Sequence, residues 1–113
     1  MTTKVGVRHN GGVTILEPQG KITIGAGDLD LREAVMETLA GGEKSIILDL
    51  SQVTTIDSSG IGEVVSAYTT VTNRGGELKL LNLPPKMSSI LQVTQLITVF
   101  EVFDDEDEAV ASF

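Results

Sequence analysis

The sequence predicts an α/β protein built on a small mixed, mostly parallel sheet, and three observations carry that expectation. The chain opens with alternating apolar residues on both sides of Asn10-Gly11-Gly12, the patterning of a tight antiparallel hairpin. It continues with a short, nearly unbroken apolar run, Ser45-Ile46-Ile47-Leu48-Asp49-Leu50, as strands covered on both faces show. Segments of helical period then alternate with such runs, and Gly41-Gly42 and Gly75-Gly76 close two of them as helix C-caps do. With 113 residues there is room for one domain, 1–113, and one core.

Val5, Val7, Val13, Ile15 and Leu16 form the two hairpin strands. Pro18, Gly20 and the small-residue stretch 22–27 are expected to end the second strand in a loop, with Asp28 as N-cap of the next helix. That helix carries Leu29, Leu31, Ala34, Val35, Met36 and Leu39 at helical spacing. The apolar run 45–50 follows as the central strand, and Ile61, Val64, Val65, Tyr68, Val71 and Thr72 mark a second helix ending at Arg74. Glu77-Leu78-Lys79-Leu80-Leu81 is the next strand. Pro84 or Pro85 is placed to begin a short helix with Met87, Ile90, Leu91 and Val93, since a proline at the first helical position loses no hydrogen bond. Val99, Phe100, Val102 and Phe103 suggest a last strand, and the acidic run 104–108 suits the positive end of a terminal helix.

Composition narrows the function. A net charge of −8 repels phosphate backbones and anionic headgroups, which argues against nucleic acid and membrane as partners. Without cysteine there is no thiol nucleophile and no Cys-based metal site. Met1-Thr2-Thr3-Lys4 runs into the first strand with no long apolar stretch, so no signal peptide or membrane span is expected and the cytoplasm is the default location. No P-loop or Gly-x-Gly-x-x-Gly segment is present, and no cofactor or metal is expected. The single histidine, His9, falls in the first strand, remote in sequence from the serines that could serve as nucleophiles, so hydrolase chemistry is not expected.

The informative segment is Leu48 to Gly62, which joins the buried strand to the second helix through a loop dense in hydroxyls. Asp57, Ser58 and Ser59 are all good N-cap residues, and the first-turn amides beyond them lack intrahelical partners and can hold an anion. Taken alone, these residues also fit a plain helix cap. On a helical projection Gly62, Ser66, Thr69 and Asn73 lie beside Ser58, with Glu63 at the edge, forming a strip of little bulk where another protein can approach.

At Asp57-Ser58-Ser59-Gly60-Ile61-Gly62 the chain resembles the STAS-domain anti-sigma-factor antagonists. Gly20, the strand 46–50 and Gly75-Gly76 before Leu78 extend the likeness over essentially the whole chain. The resemblance implies a STAS fold: a small mixed sheet with an N-terminal antiparallel hairpin strand and about four helices. It also implies that Ser58, the first serine after the aspartate, is a phosphorylation site, with Ser59 the neighbouring position. The implied partners are a GHKL-type serine kinase that is also the anti-sigma factor, and a PP2C-type phosphatase. The unphosphorylated form would bind the kinase and release its sigma factor, and phosphorylation would abolish binding. Asp57, Ser58, Ser59, Gly60, Gly62, Glu63, Ser66 and Thr69 are then the partner-binding residues, and the protein is a transcriptional regulator rather than an enzyme. STAS domains also act without a phosphoswitch, as scaffolds in stressosome-like assemblies or as lipid-transporter subunits, and this second reading stays open here. The loop 21–30 differs from the more regular acidic stretch of many relatives, which bears on the partner recognised and not on the fold.

Overall fold

A computed structural model of the chain describes residues 4–25 and 27–113. Met1-Thr2-Thr3, expected to lead into the first strand without a signal segment, and Ala26 of the small-residue loop lie outside the described residues.

The hairpin forms as expected from β1 (Lys4–Asn10) and β2 (Val13–Ile22), paired antiparallel from Asn10–Val13 outward. Gly11 and Gly12 turn the chain with φ of 58° and 83°, a left-handed pair that glycine adopts without steric cost. β2 runs on through Pro18 and Gly20 instead of ending there. On the side away from β1 it pairs first with β3 (Ser45–Asp49) at Thr14–Leu16 and later with β4 (Val53–Ile56) at Gly20–Ile22. Pro18 sits in the interval between those two partners, so a residue without an N–H donor is tolerated inside a strand.

β4 itself was not expected. Its four residues, Val-Thr-Thr-Ile, are too short and too rich in hydroxyls to stand out from a loop, yet they pair in parallel with β2. The first helix, α1 (Asp28–Ala40), is capped by Gly27 and not by Asp28. The chain enters the helix through left-handed Gly27 (φ 88°), which moves the cap one residue earlier and leaves Asp28 as a first-turn acid whose Oδ1 accepts from the Leu29 amide. Leu31, Val35 and Leu39 are buried, whereas Leu29 and Met36 stay exposed. Gly41 and Gly42 close the helix as expected.

The remaining elements are α2 (Ser58–Asn73), β5 (Glu77–Leu81), α3 (Pro85–Val93), a 3-10 turn at Leu96–Thr98, β6 (Val102–Phe103) and α4 (Glu106–Ala111). Pro85 takes the first position of α3 with Pro84 before it. The last strand is shorter than its apolar residues suggest: Val99 follows the 3-10 turn, and Phe100 turns inward to meet Tyr68 edge-on, with ring centroids 5.3 Å apart. The sheet order is β1-β2-β3-β5-β6 with β4 against β2, so β3 is central as predicted; among the described residues only the β1–β2 pair is antiparallel.

Alternation along the strands divides the core. Leu16, Ile46, Leu48, Leu78 and Leu80 face α1, α2 and α3, while Val13, Ile15, Ile47 and Leu81 lie in a second cluster with Ala109 of α4. α4 is short, and charged contacts fasten it at both ends. At its start Glu106 accepts from the two terminal guanidinium nitrogens of Arg8 and from the Asn10 side chain, and Asp105 caps the Asp107 and Glu108 amides. At its end the buried Lys79 ammonium donates to Ser112 O and Oγ at 2.9 and 2.8 Å, pairs with Glu101 at 2.8 Å and lies 4.6 Å from the Phe113 ring centre. The acidic run thus starts a helix, as expected, and one of its members also anchors that helix to β1.

Hydrogen bonds from Arg8 and then from Asn10 hold the Glu106 carboxyl down to about 2, from an ordinary 4.5. Because the folded value is the lower one, this stabilisation is complete above the unfolded pKa and fades as pH falls through about 2. Arg8 is 40% exposed, so solvent screening limits the effect. Glu106→Gln is expected to cost about 1 kcal/mol in urea unfolding at pH 7, with the two proteins converging as the pH is lowered from 4.5 towards 2.

Candidate functional site

The junction of β4 and α2 is built around Asp57. β4 ends at Ile56, paired with Ile22 at the end of β2, and the extended backbone of Asp57 points its carboxylate back over the start of α2. Oδ1 accepts the Gly60 amide at 2.9 Å and Oδ2 accepts the Ile24 amide at 3.2 Å. Of the three candidate caps in the sequence, Asp57 is therefore the one used, and it also ties the loop after β2 to the helix. The Gly60 amide, followed by that of Ile24, holds the Asp57 carboxyl below its ordinary 3.8, so it is a carboxylate at neutral pH.

Ser58 is the first residue of α2 and is exposed; among the described residues nothing bonds to its hydroxyl. Ser59 is half-buried. Gly62, Ser66, Thr69 and Asn73 are exposed along the same side as Ser58, as the projection predicts, and a Cβ on Gly62 would meet nothing within 4 Å. Thr69 turns its hydroxyl back to Val65 O, leaving its methyl outward on a flat strip.

Two residues expected on this surface are placed otherwise. Gly60 is buried: a Cβ there would lie 1.9 Å from Ile22 O and 2.8 Å from Ile56 Cγ1, so its role is to let the helix start lie against the backbone of β2. Glu63 is also buried, turned towards α1, where both its oxygens take Arg32 nitrogens at 2.9 Å. This pair raises the Arg32 guanidinium pKa. Sequence reasoning missed Arg32; the available signal was a lone cation in a helix otherwise charged only by acids. Val65 and Tyr68, both half-buried, pack against the core, and Ala67 is buried between them.

His9 lies on β1, 3.3 Å from Glu43, and Glu43 also accepts the Thr14 hydroxyl. Among the described residues no group of three or more His, Asp or Glu is arranged to hold a metal ion, and no helix is long and apolar enough to cross a membrane.

The sequence profile of the STAS domain family matches residues 4–109. The chain is 24% identical over 112 residues to an anti-sigma F factor antagonist of Paenibacillus polymyxa, covering 96% of this chain and 93% of the relative. Its fold is similar to the crystal structure of a candidate anti-sigma factor antagonist from Thermotoga maritima, with a TM-score of 0.86 at 27% identity, over 96% of this chain and 92% of the other. The phosphorylated form of the Bacillus cell fate determinant SpoIIAA has the same fold, with a TM-score of 0.73 at 21% identity, over 96% and 97% of the two chains.

The two glycines at the start of α2 separate packing from surface. Gly60→Ala is expected to destabilise by about 2–3 kcal/mol, because the backbone it strikes cannot move without breaking the β2–β4 pairing. Gly62→Ala is expected to be neutral or to stabilise by about 0.5–1 kcal/mol, since it removes backbone freedom from the unfolded chain at an open site. Urea midpoints of the two variants against the parent measure both.

Proposed function

The chain belongs to the STAS domain family, and from that premise we propose that it is an anti-sigma-factor antagonist switched by phosphorylation of Ser58. In this reading residues 1–113 form one cytoplasmic, non-enzymatic binding domain. The unmodified protein binds a GHKL-type serine kinase that doubles as the anti-sigma factor, and the kinase then releases its sigma factor. A PP2C-type phosphatase restores the binding form.

One observation carries the reading: an exposed seryl hydroxyl stands at the first position of α2, beside a strip of small side chains that obstructs nothing. The fold it shares with a protein solved in a phosphorylated form, SpoIIAA, supports the same assignment.

Phosphorylation adds about −1.5 to −2 charges at pH 7 and three strong acceptors. A helix N-terminus ordinarily welcomes such a group, but here the Asp57 carboxylate already takes the Gly60 amide. The phosphate would share the helix mouth with a like charge while a partner surface seeks to pack against it. Repulsion and desolvation of about 2–4 kcal/mol weaken binding by some thirtyfold to a thousandfold, with no refolding.

Incubation with the GHKL-type kinase encoded nearest to this chain, ATP and magnesium, followed by intact-mass and peptide mapping, is expected to place one phosphate on Ser58. Ser58→Ala is expected to bind that kinase without modification, and Ser58→Asp to bind at least about tenfold more weakly. Equal affinity of the two variants contradicts the switch; a stable assembly indifferent to both points to a scaffold.

A further inference from the structure

The face that carries Ser58 does not stop at α2. Among the described residues seven large apolar side chains are exposed, and three of them, Ile24, Leu29 and Met36 (75%, 57% and 37%), lie on α1 or on the loop that leads into it. The Ile24 amide is bonded to the Asp57 carboxylate, so this residue is tied to the helix mouth. Leu29, Arg32 and Met36 are spaced i, i+3, i+7 and share one side of α1. Arg32 and Met36 of α1 face Glu63, Ser66 and Thr70 of α2 across a shallow groove. The bidentate Arg32–Glu63 pair bridges that groove, and Ser66 belongs to the flat strip running from Ser58.

Charge on these two helices is acidic once the pair is counted. Glu63 is the single charged residue of α2, and it is matched by Arg32, the single cation of α1. Asp28 also interacts with Arg32, while Glu33 on α1 and Asp57 at the helix mouth have no cation to match them on these two helices. The result is a groove with a bridged ion pair and exposed apolar side chains on α1, on two helices whose remaining charges are all acidic.

We infer that the partner-reading surface extends from the Ser58 strip across this groove onto α1, with Leu29 and Met36 as apolar anchors on either side of Arg32. The partner meets it with apolar side chains ringed by lysine or arginine. The inference rests on the Ser58 reading above and assigns its partner a chemistry: apolar contact supplies affinity, and opposite charge supplies rate and register. Phosphate on Ser58 then acts at one end of a surface whose other end does not change. In this arrangement α2 reports modification state and α1 determines which kinase is accepted.

The test uses the purified serine kinase that phosphorylates Ser58, titrated with the full chain and its variants. Leu29→Ser combined with Met36→Ser is expected to raise Kd about tenfold or more and to raise KM for Ser58 phosphorylation with kcat little changed. Glu33→Lys is expected to slow association and flatten its salt dependence. Val93→Ser, on the exposed end of α3, is the control and is expected to stay within about twofold of the parent. Circular dichroism and urea midpoints confirm that each variant folds, as exposed positions permit. The inference is overturned by a Leu29/Met36 variant that binds like the parent while Ser58→Ala still binds, or by a control that is equally impaired. Failure of the Ser58→Ala protein to bind any serine kinase instead removes the underlying reading, and this one with it.

Discussion

The Asp57 carboxylate holds the Gly60 amide with one oxygen and the Ile24 amide with the other, and the site depends on that double contact. It starts α2, it fastens the loop after β2 to the helix mouth, and it occupies a donor that an incoming anion would otherwise take. Gly60 makes the geometry reachable, because no other residue lets the helix begin this close to Ile22 O. Ser58 is carried outward as a consequence: with Asp57 bonded inward and Gly60 pressed on the sheet, the residue at the first helical position is left in solvent.

The sheet supplies the rigid base for this arrangement. β2 is long because it serves two parallel partners in succession, β3 beside the core and β4 at the start of α2, so the position of Asp57 is set by the pairing of β4 with the end of β2. Apolar residues of one alternation hold the three large helices, and the opposite alternation is covered by α4. α4 buries little by itself, and its clasps, Glu106 with Arg8 and Asn10 at one end and Lys79 with Ser112 at the other, complement that packing.

The architecture could be read in the sequence wherever a pattern repeated. The Asn-Gly-Gly hairpin, the apolar run of β3, the glycine pairs and the period of α2 each reflect a local rule that burial reinforces. β4 escaped because four residues make no period, and Gly27 took the cap because left-handed backbone, not side-chain oxygen, set the entry into α1. Val99 and Phe100 looked like strand but were claimed by a 3-10 turn and by the Tyr68 ring. At the site, Ser58, Gly62, Ser66 and Thr69 were legible because helical projection alone determines their side. Glu63 and Gly60 were not, because what buries them belongs to other elements: Arg32 on α1, and a backbone carbonyl of β2. Tertiary partners of that kind leave no trace in the spacing of a single helix.

In this account the phosphate on Ser58 acts as a charge that the helix mouth does not fully neutralise, because it sits beside the Asp57 carboxylate, which already holds the Gly60 amide. The most direct measurement is a phosphorus NMR titration of the chain carrying phosphoserine at position 58. A second phosphate pKa above the ordinary value of about 6 is predicted, as a neighbouring carboxylate disfavours the dianion. A value below it would mean that the amides hold the phosphate after all, and would contradict the account.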